Sequence, residues 1–263
     1  MNGAVQPPCI TVGQPTDVRM ALGLNPNVPA SVLDALVSDQ DPYVRMCVAA
    51  NPHTPASILT ALATDQDRYV RWNIAANPHT PASILTAVIV NEDEGVRSCV
   101  AQNPNTAAST LSALAIDEGN MVRRNVALNP NTDASTLTYL ATDSDRGVRW
   151  AVAENPNTPV SVLIEFSADQ DHLLRLRAAK HANTPVKIVA GLASDENEMV
   201  RASVAENPNT PVGILTALAT QRPDRIRQQV AKNPNTPVNS LAALATDQDE
   251  KVRAAVAWNP TLP

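Results

Sequence analysis

The sequence predicts an all-α solenoid of short paired helices with no sheet. Two columns of residues predict it. Asn-Pro recurs at Asn25, Asn51, Asn77, Asn103, Asn129, Asn155, Asn207, Asn233 and Asn259, with gaps of 26 residues and one of 52. An arginine keeps the same period at Arg19, Arg45, Arg71, Arg97, Arg123, Arg149, Arg175, Arg201, Arg227 and Arg253. Self-similarity at this period marks stacked structural repeats. The third observation is compositional. Aromatic residues make up only 3%, with Phe166 the single Phe. The core must therefore be Ala, Leu and Val, and its elements must approach closely.

The periodicity divides the 263 residues into an N-terminal cap and half repeat (1–24), nine 26-residue repeats (25–258) and the start of a further repeat (259–263). One repeat reads NPHTPASILTALATDQDRYVRWNIAA from Asn51. Its first helix is expected to start at Thr54-Pro55, with Thr as cap and Pro in the first turn. Ile58, Leu59, Leu62 and Ala63 form its apolar stripe at helical spacing. The second helix follows Asp67, a good N-cap residue. It buries Val70, Ile74 and Ala75 and stops at Asn77, because Pro78 disfavours helix in the residue before it. Each segment is too short to be stable alone, so each must lay its stripe against the next repeat. No segment alternates with period two, so no strand is expected. At the ends, residues 1–14 are expected to fold over the first repeat. Leu241, Leu244, Val252 and Val256 are expected to leave an apolar surface at the other end. A second copy would cover it, making a homodimer, or the chain would continue.

The unit NPxTPxSxLxxLAxDxDxxVRxxVAx resembles the leucine-rich repeat variant family over residues 15–263. The resemblance implies a right-handed superhelix of alternating helices, α with α or α with 3₁₀. Some members carry a cysteine-rich iron–sulfur segment. Here only Cys9 lies near the N-terminus and four thiolates are normally needed, so no cofactor is carried over.

Charge and composition narrow the function. With 20 basic and 26 acidic residues the net charge is −6, which argues against a general nucleic-acid coat. Residues 1–154 hold 9 basic and 15 acidic groups, and residues 155–263 hold 11 of each. No apolar stretch approaches the length of a membrane span. Residues 1–14 lack the basic and apolar regions of a secretory signal. The three cysteines, Cys9, Cys47 and Cys99, do not form a disulfide framework. The expected setting is cytoplasmic, with reduced thiols.

No nucleophile elbow, phosphate-binding loop or CxxC pair is present, so no catalytic, cofactor or metal residue is assigned. The serines Ser31, Ser57, Ser83, Ser109, Ser135 and Ser161 share one register and read as helix caps. The Asp-x-Asp pairs, such as Asp65/Asp67, lack the glycine turn and distal Glu of a calcium loop. Arg45, Arg71, Arg97, Arg123, Arg149, Arg175, Arg201, Arg227 and Arg253 read as a structural ladder. Most follow an Asp at i,i+4, as in Asp67/Arg71.

Specificity is expected in columns that vary while the framework stays fixed. On the second helix these are the positions of Tyr43, Met46 and Ala50, which share one helix face. Followed down the chain they supply Tyr69, Trp72, Met121, Arg124 and Trp150. Large residues where the fold does not demand them suggest a partner site. The function expected is a non-enzymatic scaffold for protein–protein interaction. The runner-up is a nucleic-acid-binding repeat protein using the arginine column and the basic segment at 175–187.

Overall fold

The structure is a computed structural model that describes residues 13–89 and 93–261. Among the described residues it holds nineteen helices and no strand. The chain forms two compact units, Met1–Asp133 and Ala134–Pro263.

The first unit opens with α1 (Thr16–Leu24). Four helix pairs follow: α2 (Ala30–Leu36) with α3 (Pro42–Ala50), α4 (Ala56–Leu62) with α5 (Arg68–Ala76), α6 (Ala82–Val88) with α7 (Glu94–Gln102), and α8 (Ala108–Leu114) with α9 (Asn120–Leu128). The second unit holds five: α10 (Ala134–Leu140) with α11 (Arg146–Glu154), α12 (Val160–Ser167) with α13 (His172–Lys180), α14 (Val186–Leu192) with α15 (Glu198–Glu206), α16 (Val212–Leu218) with α17 (Asp224–Lys232), and α18 (Val238–Leu244) with α19 (Glu250–Ala257). Both members of each pair are α-helices. The first helix of a pair merely starts tightly, as where the Ile58 and Leu59 amides both donate to the Pro55 carbonyl at 3.0 and 3.1 Å.

The second helices carry the packing from repeat to repeat. In the first unit α1, α3, α5, α7 and α9 lie against one another in succession, and in the second α11 to α19 do the same. The first helices lean on the second helices that flank them in the chain. Val70, Ile74 and Ala75 are fully buried, as are Ile58, Leu59 and Leu62. The small residues permit this close stacking. At Gly23 on α1 a Cβ would stand 3.0 Å from the Cys47 Cβ and 3.2 Å from the Val48 amide nitrogen, so α1 meets α3 backbone to backbone. Phe166 is buried at a position where the other repeats place Leu or, at Val88, Val.

Asp67 caps α5 as the sequence predicts, its Oδ1 accepting from the Tyr69 and Val70 amides at 2.8 and 3.4 Å. Asp41, Asp93, Asp145, Asp171 and Asp249 do the same for their helices. The start of the first helix differs from expectation. Pro55, not Thr54, is the N-cap residue, and no side chain caps α4. The Thr54 hydroxyl instead donates to the Val48 carbonyl at 2.6 Å, inside the protein. Thr80, Thr106, Thr184, Thr210 and Thr236 repeat this bond. The last carbonyls of a helix have no partner within it, and burial makes that lack costly. The threonine is spent there. The serine column is likewise no cap: Ser57 and its equivalents are exposed on the outer face of the first helices.

Asn-Pro is more than a helix stop. Asn77 Nδ2 donates to the Ala49 and Asn51 carbonyls of the preceding repeat at 2.8 and 3.0 Å, and its Oδ1 accepts from the His79 amide. Asn51 and Asn103 in the first unit, and Asn207, Asn233 and Asn259 in the second, make the same three bonds. His181 replaces the Asn and half succeeds. Its Nε2 lies 3.0 Å from the Asn155 carbonyl and its Nδ1 accepts from the Asn183 amide. It makes one bond to the preceding repeat where an Asn makes two.

The expected ends need correction. Leu241, Leu244, Val252 and Val256 are buried against their own helices and the preceding repeat, so they leave no apolar surface. Trp258 stands out there at 86% exposed, and Val238 on α18 is 66% exposed. The expected N-terminal cap, apart from its last two residues, lies outside the described residues, as does Cys9.

Candidate partner-binding faces

The arginine column does not pair with the Asp four residues before it. Arg45 donates from Nε and a terminal nitrogen to Asp65 of the next repeat at 2.6 and 2.9 Å, and from its other terminal nitrogen to the Asp39 carbonyl at 2.7 Å. Arg97 holds Asp117, Arg175 holds Asp195 and Arg227 holds Asp247 in the same way. Arg201 meets Gln221 at 2.9 Å. Each guanidinium so placed is filled by framework partners and turns no free fork outward.

The Asp-x-Asp pair is consumed by the same geometry. Asp65 takes the Arg45 guanidinium and the Asp67 amide, while Asp67 caps α5. Burial alone would raise the Asp65 carboxyl. The Arg45 hydrogen bond and the Asp67 N–H outweigh it and hold the group below the ordinary carboxylate value. At Asp247 the Arg227 bond is the largest influence and lowers the carboxyl. No group of three metal-ligating side chains exists among the described residues. Burial pushes the Cys47 and Cys99 thiols up, which keeps them protonated and unreactive.

The varied columns fall on the second helices. In the first unit Tyr43 on α3 is 61% exposed, and Tyr69 and Trp72 on α5 are 54% and 42% exposed. Tyr43, Met46 and Tyr69 come together with Pro42 and Asp67 around a slot of about 120 Å³. Arg68 covers Tyr69, its guanidinium 4.6 Å from the ring centroid. The Trp72 indole leans toward Gly95 on α7, where a Cβ would lie 3.9 Å from it. Met121 and Arg124 are exposed on α9.

In the second unit Trp150 is half-buried. The Arg146 and Arg177 guanidiniums stand 5.0 and 5.9 Å from its ring. Its indole N–H is buried, makes no hydrogen bond of normal geometry, and is close enough to Asp171 to help lower that carboxyl. Trp150 lines a groove of about 320 Å³ with Leu173, Leu176, Met199 and Arg225. Acid–base pairs border it, Arg177 with Glu154 and Lys180 with Glu206. Arg146 also grips Asp171 with two hydrogen bonds, lowering that carboxyl to about 2.

Sequence reasoning missed Pro42, Asp67, Arg146 and Arg177 as members of these faces. Arg146 and Arg177 lie one position outside the columns followed. Asp67 was accounted for by its cap, which uses only one carboxylate oxygen.

No helix among the described residues is long and apolar enough to cross a membrane. Residues 199–224, one full repeat, match the family model described as leucine rich repeat variant. No curated protein matches the chain. Among solved structures, one described as a leucine-rich repeat variant with a novel repetitive structural motif is 26% identical, with a TM-score of 0.57 over 84% of this chain and 88% of that one. An engineered protein and YibA of Escherichia coli are each 17% identical, with TM-scores of 0.37 and 0.39. Each alignment spans 92% of this chain, with 93% of the engineered protein and 94% of YibA. The matched repeat, its 26-residue recurrence and the all-helical stacking identify a helical repeat protein of the leucine-rich repeat variant type.

Proposed function

We propose that this chain is a non-enzymatic scaffold that binds a protein partner through the varied side chains of its second helices. The observation that carries the reading is the contrast between the two kinds of column. Framework Asn, Thr and Arg side chains are spent inside the repeat, whereas Tyr43, Tyr69, Trp72, Met121 and Arg124 project from it. Aromatic and arginine side chains of this kind anchor interfaces. Nucleic-acid binding has less support. Arg175, Arg177 and Lys180 of the basic segment are each engaged by a carboxylate.

The test is binding to a partner captured with the intact chain. Trp72→Ala and Tyr69→Ala should weaken capture at least tenfold, a usual cost for an anchor, while leaving the melting temperature within a degree or two. Arg45→Ala should lower the melting temperature and spare binding below it. Trp72 and Tyr69 variants that bind normally would defeat the proposal.

A further inference from the structure

We infer that the Tyr43–Tyr69 slot receives a lysine side chain of a basic peptide segment. The inference rests on the partner-face reading and names the chemistry of one position within it.

Four features of the slot converge on a cation. Its walls are two tyrosine rings from successive second helices, with Met46 and Pro42 completing an apolar lining. Aromatic faces attract ammonium groups through their quadrupole, and thioether and ring carbons suit the lysine methylene stem. Asp67 supplies a carboxylate at the wall. Its Oδ1 is used in capping, and Oδ2 makes no hydrogen bond. The volume of about 120 Å³ suits one side chain rather than a helix. The surroundings are acidic on balance: Asp41, Asp93 and Glu94 open the neighbouring second helices, while Arg45, already paired with Asp65, and Arg68 are the cations that feel Asp67. Arg68 is not among the lining residues, yet its guanidinium already sits over the Tyr69 ring. The protein thus uses this ring as a cation platform for its own side chain. A carboxylate-bearing peptide would meet repulsion from Asp67 here.

The test uses the intact chain, an acetylated octapeptide of alternating Lys and Ala, and the same peptide with Gln for Lys. The readout is the Trp72 indole N–H resonance, one turn from Tyr69, with titration calorimetry beside it. The Lys peptide should move that resonance saturably and leave the Trp150 resonance in place. Tyr43→Leu with Tyr69→Leu keeps the slot apolar but removes the rings, and should weaken binding roughly tenfold. Asp67→Asn still caps α5, so the fold survives, and binding should fall several-fold. Equal binding of the Gln peptide would overturn the cation assignment and leave the partner-face reading standing. So would Lys-peptide binding that the double Leu variant leaves unchanged, or a Trp72 resonance unmoved by millimolar Lys peptide. The partner-face reading fails separately, if capture of a partner ignores Trp72→Ala and Tyr69→Ala.

Discussion

Arg45 and Asp65 are joined by two hydrogen bonds, at 2.6 and 2.9 Å, across twenty residues of sequence. The contact ties the second helix of one repeat to the turn that opens the second helix of the next. The same Asp65 accepts from the Asp67 amide at 2.9 Å, so the bridge also shapes the turn.

Removing both partners should cost less than the two single removals added together. Arg45→Ala leaves a mostly buried carboxylate unpaired, and about 2–3 kcal/mol of stability should be lost, somewhat below the value for a fully buried pair. Asp65→Ala should cost a similar amount. The double variant should recover part of the loss, measured as a coupling of about 1 kcal/mol in urea denaturation. Strict additivity would mean that the bridge contributes nothing of its own.

The clasps make stability acid-sensitive. Asp39, Asp65, Asp117, Asp195 and Asp247 have folded values below the ordinary 3.8, and Asp171 lies at about 2. A lowered folded pKa gives stability that is present above the unfolded value and lost as pH falls through the folded one. The melting temperature should therefore hold on the alkaline side of about pH 4 and fall between there and pH 2. Circular dichroism melts across that window would show it, and a flat profile would contradict it.

His181 marks a repairable position. Asn in its place can reach two carbonyls of the preceding repeat, as Asn207 does at 2.8 and 3.0 Å. His181→Asn with Ala182→Pro should stabilise by about 1–2 kcal/mol, from one recovered hydrogen bond and a stiffer unfolded chain. Calorimetry should record a rise of a few degrees. A fall would mean that the repeat is shaped around the imidazole.

Trp150 offers a sharper contrast. Its indole N–H is buried and makes only a weak contact with Asp171, outside normal hydrogen-bond geometry, so Trp150→Phe gives up little and should change stability by less than about 1 kcal/mol. Trp150→Ala removes the ring from between Arg146 and Arg177 and should cost about 3 kcal/mol. Parallel urea melts of the two variants would separate these outcomes.

The helix pairs were legible because the positions of Leu59 and Leu62, then Val70 and Ile74, stay apolar at helical spacing in every repeat. The partners of the polar columns were not. When every column shares one period, Arg45 stands in phase with Asp41, Asp65 and every other framework residue. Spacing then cannot choose between an acid four residues behind and one twenty ahead. Thr54 was misread and Asn77 read only in part for a related reason: capping and helix-stopping are local roles visible in sequence, whereas the buried carbonyls they satisfy belong to neighbouring elements. At the candidate faces, Tyr43, Tyr69 and Trp72 could be found because they are large residues in otherwise variable columns. The closing of the slot by Pro42 and Asp67 depends on how successive helices face each other.

The asparagine bonds point backward along the chain and the arginine bonds point forward. As a unit emerges from the ribosome, each new Asn finds its two carbonyls already in place, so that seam can close repeat by repeat. Each Arg must wait for a further twenty residues before its carboxylate exists. Synthesis thus meets one fastener that sets at once and one that sets late. The late one can close only once the turn that carries its carboxylate has been made.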